Sequence, residues 1–284
     1  MSAWDSFVIV DWSAGNDTGG RPRKDAIWAG AVIAGTRREP VYLRNRDVAW
    51  NWVTDLIDRE TEAGRRLLLG FDFPFAYPEG FARAVTGSDD PLSMWNFLAE
   101  TLVDTPEGND RFALAARLNA RFAGIGPFWF NGTARDHPGL PRRKHDRTPD
   151  HGMSERRRCE SHAKGTFTCW QMGGAGAVGG QVMTGCAFLS RLRARFPDRV
   201  AVWPFEPLSA PVALVEVWPS LLAGEVRAAE DPIKDRAQVD LLSRAFAAMP
   251  PDRLSRMLDI HAPVEGWILG LGHERELAEA LCPA

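Results

Sequence analysis

The sequence predicts an α/β fold on a mixed sheet, and two observations carry that expectation. Short β-branched or leucine-rich runs alternate with segments of helical period, and the N-terminal third reads β-β-β-α-β. In addition, three of the apolar runs end on one acid followed at once by a small or proline-containing turn: VIVD at Asp11, LLLGFD at Asp72 and VALVEV at Glu216.

Residues 7–11 (FVIVD) form the first expected strand, and the turn formers Ser13, Ala14, Gly15 and Asn16 end it. A second strand fits 26–34 (AIWAGAVIA) and a third fits 40–43 after the turn at Gly35, so the three read as a meander. Asp47 is placed to cap a helix in which Trp50, Val53, Leu56 and Ile57 recur at helical spacing up to Gly64. Residues 66–72 (RLLLGFD) are a continuous apolar strand closed by Pro74 and Pro78. From 79 to 122 the period is helical, in pieces at 81–85, 92–102 and 110–122. The stretch 124–164 keeps no period and reads as a long functional or mobile loop. A strand-like 166–172 leads through a glycine cluster to a helix at 181–196, followed by strands at 199–205 and 212–218 and a helix at 235–248. A last helical segment runs from about 264 to 281, weakened by Gly266, Gly270 and Gly272. This order fits one domain over 1–284 with residues 79–180 inserted in it.

Hydrophobic residues at 45% and charged residues at 25% are globular composition and exclude disorder over most of the 284 residues. The net charge is only −3, so any site for a polyanion must be local. Of the 34 basic residues, only Lys24, Lys144, Lys164 and Lys234 are lysines, and arginine is the residue that grips phosphate and carboxylate oxygens in pairs. No run approaches the length of a membrane span, so no membrane partner is expected. Residues 1–5 carry no positive leader, and four cysteines (Cys159, Cys169, Cys186, Cys282) are too sparse for a disulfide framework. Both features predict a cytoplasmic protein.

A carboxylate inside an apolar strand is costly to desolvate unless it meets a cation. Three strand-end acids on neighbouring strands would converge, repel and raise one another's pKa, which favours a divalent ion. Carboxylate ligands without an organised His/Cys set suit Mg²⁺ or Mn²⁺. Each acid taken alone reads equally well as a turn cap or an arginine partner.

The strand order and these acids resemble the ribonuclease H-like superfamily. Within it, VIVDWSAG, LLGFDFPFAYP, VALVEVWPSL and 234–242 (KDRAQVDLL) are similar to a broadly distributed family of predicted nucleases of unknown function. The resemblance runs through nearly the whole chain in order. It implies a carboxylate-bound divalent metal and water attack on a phosphodiester, with nucleic acid or a small phosphorylated molecule as substrate. By position, Asp11 takes the first-strand ligand place, Asp72 the fourth-strand place and Glu216 the following-strand place. Glu265 in VEGWILGLG best matches the acid of the C-terminal helix, and Asp240 less well. Members often carry Asp-Ala there, from which Glu265-Gly266 departs. Ser13 is placed to contact substrate or metal-bound water, or simply to turn the chain, and Lys234 to contact phosphate or carboxylate.

Two further constellations carry chemistry. Between Arg135 and Lys164 stand nine basic residues and four of the six histidines, either a solvated loop or a phosphate-gripping arm containing Arg156, Arg157 and Arg158. A zinc site from His145, His151, Cys159, His162 and Cys169 fails on spacing. Residues 174–179 (GAGAVG) satisfy GxGxxG, with Gly174 and Gly176 free to approach a phosphate or to turn the chain tightly. The expected function is therefore a metal-dependent phosphodiester hydrolase, with a nucleotide- or phosphorylated-cofactor-binding protein lacking nuclease activity as the alternative.

Overall fold

The computed structural model describes residues 4–130, 135–148 and 150–282. In chain order the elements begin with β1 (Ser6–Asp11), β2 (Ile27–Ile33), β3 (Thr36–Arg44), α1 (Arg46–Glu62) and β4 (Leu67–Asp72). Next come α2 (Phe81–Thr86), α3 (Pro91–Thr101), the short strands β5 (Asp104–Thr105) and β6 (Gly108–Asn109), α4 (Arg111–Asn119), α5 (Arg158–His162) and α6 (Gly179–Arg195). The chain closes with β7 (Val200–Val202), β8 (Val212–Glu216), α7 (Ala223–Ala228), α8 (Lys234–Ala248), α9 (Pro251–Leu258) and α10 (Glu274–Ala280). It divides into two compact units, one of residues 1–73, 192–262 and 267–284, the other of 74–191 and 263–266.

The first unit holds a mixed six-stranded sheet in the order β3-β2-β1-β4-β8-β7. The first three strands are an antiparallel meander, and β1, β4, β8 and β7 run parallel. Parallel strands are covered on both faces, which is why β4 and β8 read as unbroken apolar runs. Side chains alternate, so Ser6, Val8 and Val10 point to one face of β1 and Phe7, Ile9 and Asp11 to the other. On the Ser6 face lies α1, which buries Val53, Leu56 and Ile57. Its buried Glu60 accepts a hydrogen bond from the Ser6 hydroxyl and a bidentate pair from Arg65 at 2.8 and 2.7 Å.

The opposite face takes α8. Ile9 is flanked in register by Gly30 on β2 and Gly70 on β4, leaving a shallow trough beside its side chain. A Cβ at Gly30 would sit 2.3 Å from the Val239 backbone of α8, and one at Gly70 would sit 2.7 Å from Ile9 Cδ1. The helix therefore rests on bare backbone, which sets the position of its first turn.

The second unit packs Tyr77, Phe81, Phe128 and Trp170 as one aromatic cluster, with ring centroids 4.5 to 6.0 Å apart. Asn119 anchors the irregular chain beside it: its amide donates to the Phe128 and Gly139 carbonyls at 2.9 Å, and its oxygen accepts the Phe128 N–H at 2.8 Å.

Several local expectations are corrected. Asn45, not Asp47, caps α1, accepting from the Asp47 and Val48 N–H groups. Residues 166–172 form no strand beyond a single bridge between Trp129 and Gln171. β7 stops at Val202, whose N–H donates to Glu206, because Pro204 cannot continue a ladder. The expected 264–281 helix begins only at Glu274, since Gly266, Gly270 and Gly272 adopt φ of +70°, +84° and +84°. The helix α9 lies outside the expected elements although Pro251 at its start and Leu254, Met257 and Leu258 on one face mark it, and the β5–β6 hairpin is too short to show a period. Among the described residues no helix is long and apolar enough to cross a membrane.

Gly30→Ala is expected to destabilise the chain by about 1–3 kcal/mol through overpacking. Gly224→Ala, in helix α7 with open space around it, should gain up to about 1 kcal/mol. Urea unfolding of both variants checks the pair; equal effects would show that α8 does not depend on the bare backbone at Gly30.

Candidate functional site

Asp11 and Asp72 end two adjacent parallel strands as direct register partners. Partners in a parallel pair share a face, and neighbouring strands lie about 4.8 Å apart, so the two carboxylates are held side by side by the sheet itself. Both are only partly exposed. Burial pushes the Asp11 carboxyl well above the ordinary range, and the charges of Asp72, Asp235 and Asp25 push it further. Asp72 is raised to about 7, first by burial and then by Glu216 and Asp235. Lys234 opposes both shifts. A carboxyl that titrates near neutrality can take up or release a proton at working pH.

The first turn of α8 completes the cluster. Asp235 and Lys234 stand where the helix, seated on Gly30, meets the ends of β1 and β4. Asp235 accepts the Asp25 N–H at 2.7 Å, which ties the chain between β1 and β2 to α8, and burial raises its own carboxyl. Ser13 lies in the same connection and shapes it, since its hydroxyl donates to the Asp25 carbonyl at 3.0 Å and accepts the Gly15 N–H at 3.1 Å. Buried Arg46 holds this turn from beneath, donating to the Ser13 and Gly15 carbonyls and to Asn16 Oδ1.

Sequence reasoning missed Asp235 and Asp25. The signal for Asp235 was present, because KDRAQVDLL places it beside Lys234 in a first helical turn. Glu216 is buried at the end of β8 but pairs in register with Phe71, one residue out of step with Asp72. Strand alternation puts it on the opposite side of the pleat, from which its charge still reaches Asp72. Glu265 lies in a turn of the second unit, not on a helix, and its two carboxylate oxygens accept the Glu79 and Arg158 N–H groups at 2.7 Å. Asp240 is on α8 and pairs with Arg37 at 2.7 Å. Among the described residues no group of three or more His, Cys, Asp or Glu side chains is arranged to hold one metal ion, which covers the four-acid set and the zinc candidates alike.

The arginines of the expected arm are engaged by internal partners. Arg157 is 1% exposed, pairs with buried Glu160 at 2.8 Å and donates to the Glu265 carbonyl, so it is interior architecture and not a substrate contact. Arg156 donates to the Thr166 carbonyl and hydroxyl, and Arg158 pairs with Glu79 at 3.0 Å. The glycine run is equally occupied. A Cβ at Gly176 would lie 2.2 Å from the Phe167 ring, and the Gln171 amide donates to the Gly173 and Ala175 carbonyls. With no strand before it, the run lacks the strand–turn–helix context of a dinucleotide site. No family model, curated protein or solved structure matches the chain.

The raised carboxyl of Asp72 makes stability depend on pH. Asp72 keeps its proton to about pH 7 when folded but only to about 4 when unfolded, so the folded state binds more protons in that window. Its contribution is therefore lost as pH rises from 4 to 7. His137 and His151, lowered by burial, act the other way, so the readout is the difference between proteins. Without divalent ions, Asp72→Asn should gain melting temperature relative to wild type on going from pH 5 to pH 8; a constant difference would exclude Asp72 as the titrating group. Separately, Arg157→Met strands the Glu160 carboxylate and should cost about 3–5 kcal/mol in chemical denaturation, against about 0.5 kcal/mol or less for exposed Arg143→Ala.

Proposed function

We propose that the chain is a phosphodiester hydrolase dependent on Mg²⁺ or Mn²⁺, acting on nucleic acid or a small phosphorylated substrate. The observation that carries this reading is the register of Asp11 against Asp72, two acids at the mouth of one sheet whose carboxyls are raised first by burial and then by the acids around them. The β-β-β-α-β order with acids ending its first and last strands supports the ribonuclease H-like resemblance and hence this chemistry.

The donor set fits a hard cation in a particular way. Mg²⁺ keeps several waters and is bound through one or two carboxylates, so the Asp11–Asp72 pair is a sufficient protein contribution where a four-carboxylate cage is not assembled. Such an ion supplies an activated water and neutralises charge developing on phosphorus. The protein's residues do the rest. Asp11 and Asp72 exchange their shared proton load for a cation, Asp235 is within electrostatic reach to hold a proton on the same face, and Lys234 offers an ammonium to a phosphate oxygen. A nucleotide-binding protein working through the glycine run is disfavoured, because Phe167 and Gln171 fill that turn. The described cysteines are all free thiols, which suits a reducing cytoplasm.

Mn²⁺ titration by calorimetry at pH 7.5 is expected to give one strong site that Asp11→Asn and Asp72→Asn each weaken at least about tenfold. Hydrolysis of bis(p-nitrophenyl) phosphate and of labelled DNA and RNA should fall with it. Mn²⁺ binding unchanged in Asp11→Asn would overturn the reading.

A further inference from the structure

Next to Lys234 the first unit contains a cavity of about 350 Å³ between α7, the connection that follows it and the first turn of α8. Lys234 and Gln238, one helical turn apart on α8, form one wall. Val226 and Arg227 of α7 form the other, with Ala223 and Ser220 at its end. Lys234 thus belongs to two places at once, since its charge also acts on Asp11 and Asp72.

The lining shows what is wanted there. Gln238 is 8% exposed, yet its carboxamide meets no hydrogen-bonding partner among the described residues. The carboxamide therefore opens onto the cavity with its donor and its acceptor available to an occupant. Arg227 and Lys234 likewise form no ion pair among the described residues, although arginines elsewhere in the chain mostly do. Glu230 and Asp231 stand at the rim, and Asp231 is already neutralised by Arg236 at 2.9 Å. Glu230 adds an acid at the rim and the charge of Lys234 is shared with Asp11, Asp72 and Asp235, so the cavity suits a single phosphate and disfavours a triphosphate. The carboxamide presents a donor and an acceptor side by side, which matches a nucleobase edge, and Val226 with Ala223 supplies an apolar wall for a ring face.

We propose that this cavity is the subsite for one nucleoside monophosphate unit of the substrate, its phosphate on Lys234 and Arg227 and its base on Gln238, with Ser220 beside the sugar. The assignment rests on reading Asp11 and Asp72 as the reacting centre, because Lys234 then leads from the bound nucleotide to the bond that breaks. It names the substrate class as nucleotidic and not merely phosphorylated.

The test is titration of the full chain, without metal, with the four nucleoside 5′-monophosphates, a nucleoside triphosphate and inorganic phosphate. At least one monophosphate should bind about tenfold or more tightly than inorganic phosphate and than its triphosphate. Gln238→Leu, close in volume, should erase the advantage over inorganic phosphate, and Arg227→Ala, on an exposed side chain that folding does not need, should weaken both ligands. Absence of monophosphate binding, or identical binding in wild type and both variants, would overturn the subsite. The two readings fail separately. If monophosphates bind as expected while Mn²⁺ binding ignores Asp11→Asn, the hydrolase reading falls and the nucleotide pocket stands; if metal binding and hydrolysis follow Asp11 while Gln238→Leu changes neither nucleotide affinity nor KM, the pocket falls alone.

Discussion

The close seating of α8 on the sheet is the constraint on which the first unit depends. Two glycines flank Ile9 across three strands, and the backbone at Val239 occupies the space a Cβ at Gly30 would need. A glycine within a strand loses side-chain packing and costs conformational entropy, so its presence calls for a compensating contact. That contact is the helix, and bringing it so near carries Lys234 and Asp235 to the ends of β1 and β4. The chemistry at the strand mouth is thus a consequence of packing several residues away.

The strand-end acids illustrate how a sheet stores electrostatic work. Asp11 and Asp72 cannot separate without breaking the β1–β4 ladder, so their burial and the charges around them are expressed as raised proton affinity instead of movement. Lys234 relieves part of this, and a divalent cation would relieve more. The loop between β1 and β2 is held firmly enough to keep that geometry: Arg46 grips it from α1, and Asp235 fastens its far end to α8. Ser13 works in the same frame, shaping the turn through its bonds to Asp25 and Gly15.

Arginine abundance has mixed causes, and burial separates them. Arg46 and Arg157 replace missing secondary structure by donating to carbonyls of irregular chain, a role that five fixed N–H donors suit. Arg37, Arg65 and Arg236 pair with acids at the surface or its edge. Arg227 forms no ion pair among the described residues and lines the cavity beside α8. A cluster of basic letters in sequence therefore says little about anion binding until each guanidinium's partner is known.

The sequence by itself determined the α/β class, the meander followed by helix and strand, and the two acids Asp11 and Asp72. Those features are local: β-branched runs, a period of 3.6, and an acid at the end of an apolar segment survive reading one window at a time. Glu216 was legible as a strand-end acid, but its face was not, because a one-residue offset in register turns a side chain to the other side of the pleat. Glu265 was misread as helical because positive φ at three nearby glycines is a property of the folded turn, and Arg157 was misread as a phosphate contact because its partner Glu160 is buried with it. Asp235 joined the site only through the tertiary seating of α8 on Gly30. Register, backbone sign and helix placement are all set by contacts between residues far apart in the chain, and that distance is why only the folded structure decided which charges meet.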